Sequence, residues 1–161
     1  MIALPTYTED LKTRVSKMET EVVSAAAFTV FVRHSVPLFS DEAVVKKYET
    51  ILLAEAGKSG CDAPVYLFMP TKCHLLLQGK GGLARLVETM KGFRMGAGYW
   101  LSKVHCDVEW LGNHGSDEKQ TQQEIIEYAR HILNAPVRMG IVDDWKQYRY
   151  KGSTLYQLES W

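Results

Sequence analysis

The chain has 161 residues, 46% of them apolar, with 19 basic and 19 acidic side chains and a formal charge of zero. That is enough to bury a real core in one domain, and the balanced charge argues against a strong nonspecific polyanion binder. No stretch approaches the roughly 20 apolar residues that cross a bilayer. The first apolar run, 22–28, follows a charged segment and is too short for a signal peptide, while Cys61, Cys73 and Cys106 contain no C-x-x-C pair. The expectation is therefore a single cytoplasmic, reduced domain spanning 1–161, without a disulfide framework, zinc knuckle or membrane partner.

Thr6-Tyr7-Thr8-Glu9 has capping-box spacing, and Leu11, Val15, Met18 and Val22 recur at helical intervals, which predicts an amphipathic helix within 1–25. A strand follows from Phe28 to Arg33, ending at Ser35-Val36-Pro37. Ser40 is the expected N-cap of a second helix, with Val44, Tyr48, Ile51, Leu52 and Glu55 on one stripe, stopping near Gly57-Lys58-Ser59-Gly60. Val65–Met69 and Cys73–Gln78 read as two strands joined at Pro70. In the second of these Lys72 and His74 share a face, and Cys73 points the opposite way into the core.

Gly79-Lys80-Gly81-Gly82 precedes a third helix expected to bury Leu83, Leu86, Val87, Met90 and Phe93. This glycine run could cradle a phosphate, but it lacks the spacing of a P-loop or dinucleotide fingerprint and reads better as a turn. Alternation across 104–110 predicts another strand, on which His105 and Asp107 share a face, with Asn113-His114-Gly115-Ser116 as punctuation. Ser116 is the expected cap of a long helix through Ile125, Ile126, Ala129, Ile132 and Leu133, which Pro136 ends. The tail, with Trp145, Tyr148, Tyr150, Tyr156 and Trp161, is expected to pack on the body. This order predicts an α+β fold, an antiparallel sheet with helices mainly on one face.

Two blocks carry a resemblance. "FTVFVRHSVPLF", a helix and then "VYLFMPTKCHLLLQ", with "HILNAPVRMGIVDDWKQY" later, is similar to the REP-associated tyrosine transposases, relatives of the insertion-sequence single-strand transposases in the HUH superfamily. The helix "LARLVETMKGF" and the tryptophan of "GYWLSKV" fall in the family's order, so the likeness covers about 28–150. It implies a ferredoxin-like fold that acts on single-stranded or hairpin DNA. In active members two histidines one residue apart on a strand, with an amide from a helix, hold magnesium or manganese, and a tyrosine on that helix attacks the phosphorus.

At the matching positions this chain departs from that pattern. The first metal histidine falls on Lys72, the second is His74, the nucleophile position is His131, and the amide position is Ala135. An ammonium repels a divalent ion, alanine offers no donor, and one imidazole cannot hold magnesium or manganese tightly. The resemblance thus implies a lost cofactor and a catalytically degenerate protein that still binds DNA. Arg33, Lys72, His74, Lys80, Arg85, Lys91, Arg94 and Arg138 would be its contacts, and Tyr99 or Trp100 could stack on bases, although Trp100 reads better as a core residue. Two alternatives stay open: an active nicking enzyme using Tyr128 or His131 as a rearranged nucleophile, and a protein-interaction scaffold without DNA affinity. A homodimer, as in some relatives, is compatible with all three.

Overall fold

The computed structural model describes residues 24–104, 110–115 and 121–161. The expected N-terminal helix, the His105/Asp107 pair and the Ser116 cap lie outside the described residues. The first strand, β1 (Ser24–Val32), leads through two 3-10 turns into helix α1 (Glu42–Ser59). Next come β2 (Asp62–Met69), β3 (Lys72–Gly79), helix α2 (Gly82–Val104) and β4 (Trp110–Gly115). Helix α3 (Gln122–Leu133), the single turn α4 (Ala135–Arg138) and the two-residue strand β5 (Lys151–Gly152) complete the order. The strands form one antiparallel sheet in the order β4-β1-β3-β2-β5. The first four strands with α1 and α2 make the β-α-β-β-α-β arrangement of the ferredoxin-like α+β fold.

The pleat divides the sheet into two dry faces. Phe28, Val30, Val32, Phe68, Cys73, Leu75 and Leu77 pack beneath α1 and α2. Ala25, Ala27, Val65, Leu67, Met69 and Leu76 pack beneath α3 and the C-terminal tail. The two long helices thus lie on one face, as expected, while α3 and the tail close the other. Each large apolar side chain removed from water in this way contributes roughly 1.5–3 kcal/mol.

Local chemistry accounts for the boundaries. The α1 cap is Asp41, whose carboxylate accepts from the Ala43 amide at 2.9 Å. The expected cap, Ser40, instead closes the 3-10 turn Leu38–Ser40. The helix ends at Gly60, whose φ of 66° suits a residue without a Cβ. Helix α2 runs further than its leucine pattern suggested, because Leu86, Met90, Phe93, Ala97 and Leu101 continue one buried stripe. Val104 is therefore helical rather than the start of a strand, and the described strand Trp110–Gly115 takes in Asn113, His114 and Gly115, which were expected to punctuate. Leu83 and Val87 are exposed: Leu83 sits in the first turn and Val87 lies about 100° round from Leu86.

Helix α3 starts at a capping box in which Thr121 accepts from the Glu124 amide and Glu124 accepts from that of Thr121. It stops at Leu133, and Pro136 then occupies the first turn of α4, where a missing amide proton costs nothing. The tail is tied down by Tyr148, whose hydroxyl donates to the Phe68 carbonyl at 2.6 Å, and by the burial of Leu155, Tyr156 and Leu158.

Candidate nucleic-acid interface

On β3, Lys72 and His74 do share a face, opposite Cys73, Leu75 and Leu77. Cys73 is fully buried, and that burial pushes its thiol up to about 12, so it is an inert core residue. Register with β1 sets Phe31 beside Lys72 and Thr29 beside His74. The Lys72 ammonium lies 6.0 Å from the Phe31 ring centre, and the Thr29 hydroxyl is 3.0 Å from His74 Nδ1. Thr29 was not among the residues singled out from sequence, because the strand pair that makes it a neighbour of His74 joins residues 45 positions apart.

Helix α3 closes over this face. It brings Tyr128 and His131, with ring centres 5.5 Å apart, over the end of β3. Arg138 returns from α4, its guanidinium donating to the His131 carbonyl at 2.6 Å. Thr29, His74, Tyr128, His131 and Arg138 wall a cavity of about 80 Å³. A shallower opening of about 310 Å³ shares Tyr128 and His131 and is also lined by Glu124 and Glu127.

The electrostatics of the pocket are one-sided. Burial, with the Lys72 ammonium, the Arg138 guanidinium and His131 adding to it, pushes His74 down to about 4. His131 is also lowered, by burial and then by Arg138. At neutral pH the His74 imidazole is therefore uncharged, and the fixed charges that lower it are cations.

That donor set does not fit a divalent metal. Lys72 brings a cation, Ala135 is a buried methyl at the start of α4, and among the described residues no three His, Cys, Asp or Glu side chains come together. The neighbouring amide, Asn134, donates to its own helix at the Arg130 carbonyl, 2.9 Å away.

The basic residues expected to contact DNA are dispersed. Arg33 follows β1 at the Lys72 end of the sheet, and Arg138 joins the pocket. Lys80 follows the far end of β3, roughly 26 Å along the strand from Lys72 at about 3.3 Å per residue. Arg85, Lys91 and Arg94 ride on α2, which packs against the opposite face of the sheet. Tyr99 is exposed there with the Lys103 ammonium 4.4 Å from its ring centre, and Trp100 packs on Tyr48, ring centres 6.1 Å apart. The glycine run after β3 is a turn, with Gly81 and Gly82 at φ of 94° and 75°.

The fold and the placement of α3 define a class: a ferredoxin-like sheet with one further helix laid across its second face, beside the central strands. The structure is similar to that of a REP-associated tyrosine transposase bound to a REP hairpin, with a TM-score of 0.57, 13% identity, and 94% of this chain and 81% of that one covered. It is also similar to a protein from Deinococcus radiodurans R1 provisionally assigned as a transposase, with a TM-score of 0.50, 14% identity, and 68% of this chain and 88% of that one covered. The sequence matches no protein-family model and no curated protein. What is shared is a transposase-like fold. No described helix is long and apolar enough to cross a membrane.

Proposed function

We propose that this chain is a transposase-derived DNA-binding protein that grips single-stranded or hairpin DNA at the His74 pocket without cutting it. The observation that carries this reading is a cation, Lys72, beside His74 where the resemblance implies a metal donor. On the strand where the resemblance implies a metal site, Lys72 stands beside His74 and Arg138 closes the wall, so fixed positive charge is held where an ion would otherwise polarise a phosphate. The likeness to a hairpin-bound transposase supports DNA of that form. A phosphate oxygen accepting from Lys72 and Arg138 would be bound in place, while the position the resemblance assigns to the nucleophile carries His131 in place of tyrosine.

Fluorescence anisotropy with a labelled hairpin tests this. Lys72→Ala and Arg138→Ala should each weaken binding about 10- to 100-fold, the range for a hydrogen bond between charged groups, and each should lower the salt slope by about one. Unchanged affinity in both variants would reject the assignment, and no binding at any salt would leave the fold as a protein-interaction scaffold. A second reading, strand cleavage by a rearranged nucleophile, is favoured by Tyr128 and His131 lining the cavity together. It requires a denaturation-resistant protein–DNA adduct, formed with manganese and hairpin DNA and lost in Tyr128→Phe or His131→Gln.

A further inference from the structure

A second cleft lies at the β5 edge of the sheet. Its volume is about 490 Å³, within the usual range of small-molecule sites, and its walls include Tyr66, Trp145, Lys146, Arg149, Lys151 and Tyr156. Three cations, Lys146, Arg149 and Lys151, line it with one carboxylate, Glu159, while Glu42 and Glu49 reach Arg149 and Tyr66 from outside the lining.

The floor depends on a glycine. Gly152 pairs with Tyr66 across the β2–β5 ladder, and a Cβ at 152 would lie 2.2 Å from the Tyr66 hydroxyl oxygen. Only a residue without a side chain lets the Tyr66 ring lie across β5, where its hydroxyl donates to Glu49 at 2.8 Å. Lys151 shapes the rim: its ammonium donates to the carbonyls of Lys146 and Tyr148 and so holds the 3-10 turn Trp145–Gln147 against the strand. The Lys146 and Lys151 ammonium groups lie 5.7 and 5.8 Å from the Trp145 ring centre, near the outer limit of a cation–π contact, and the exposed Lys146 can move aside for a flat ligand. Arg149 pairs with Glu42 at 3.0 Å in an exposed setting, an ion pair weak enough for a phosphate to replace the carboxylate.

A flat π surface with adjacent cations suits one chemical class, an anion carrying a planar ring. We infer that this cleft binds a nucleoside phosphate unit, the base against Trp145 and the phosphate between Lys146 and Arg149. The cleft stands apart from the His74 pocket: Lys151 is opposite Leu67 and Leu67 is opposite His74, and Leu67 is fully buried between them. The inference therefore does not depend on DNA binding at His74. The same chemistry is presented by a free nucleotide and by an unpaired nucleotide within a strand.

Isothermal titration calorimetry of the full chain with dTMP, and anisotropy with labelled (dT)₄, test the site and separate these sources. Saturable binding of dTMP assigns a free nucleotide; binding of (dT)₄ alone assigns a strand. In either case Trp145→Ala should weaken binding at least fivefold. The double variant Lys146→Gln/Arg149→Gln, confined to exposed side chains and so safe for folding, should weaken it at least tenfold. Running (dT)₄ on Lys72→Ala as well separates loss at the His74 pocket from loss at the cleft. No saturable binding of either probe, unchanged affinity in the double variant, or inorganic phosphate competing as well as dTMP would overturn the inference.

Discussion

His74 should remain neutral down to acidic pH, and this can be measured directly. Its lowering from 6.5 to about 4 corresponds to about 3 kcal/mol of preference for the uncharged ring in the folded protein. The unfolded chain takes up the proton below pH 6.5 and the folded one only near pH 4. Stability from this group is therefore fully present above pH 6.5 and falls as pH drops through that window. Between pH 7.5 and pH 5 the loss should be about 2 kcal/mol. Carbon-detected NMR titration of the histidine ring gives the native value, and urea melts at the two pH values give the stability change. His131 shifts in the same direction, so the comparison of wild type with His74→Gln isolates the contribution. Lys72→Ala should raise the His74 value while leaving it below 6.5, since burial is the larger cause. A His74 resonance titrating near 6.5, or equal pH dependence in wild type and His74→Gln, would refute the buried cationic pocket.

Further outcomes concern stability. Gly152→Ala forces its Cβ into the Tyr66 ring and should cost about 1–3 kcal/mol in urea unfolding. Gly92→Ala sets its Cβ 2.4 Å from the Glu55 carboxylate, the movable end of a side chain otherwise paired with Lys58. The helix preference for alanine offsets that displacement, so the change should stay within about 1 kcal/mol. Thr121→Ala removes half of the α3 capping box and should cost about 1 kcal/mol, seen as a lowered urea midpoint with an unchanged slope. Phe93→Ala opens the core under α2 and should cost about 3–5 kcal/mol by the same measurement.

Sequence reading went furthest where the physics is local. The β2–β3 hairpin at Pro70, the α1 stripe and the α3 stripe depend on periods of 2 and 3.6 and on punctuation a few residues away, and they stand where the pattern put them. It went astray where a helix drew its stability from distant partners. Helix α2 continues through Gly92, Gly96 and Gly98, residues that weaken a helix by themselves. Ala97 and Leu101 keep the buried stripe going, and Gly96 lets α1 approach until Ile51 would stand 3.1 Å from an added Cβ. A strand was therefore expected where Val104 is helical.

The amino-acid order by itself determined that Lys72 and His74 face one way and Cys73 the other, because side chains alternate along any strand. The resemblance it carries implied Lys72, His74 and Ala135 at the family's metal positions and His131 at its nucleophile position. Only the tertiary structure decided that Thr29 meets His74, that Arg138 returns to the same wall, and that Arg85, Lys91 and Arg94 lie behind the sheet. Those relations depend on strand register and helix placement between residues tens of positions apart, which no local period encodes.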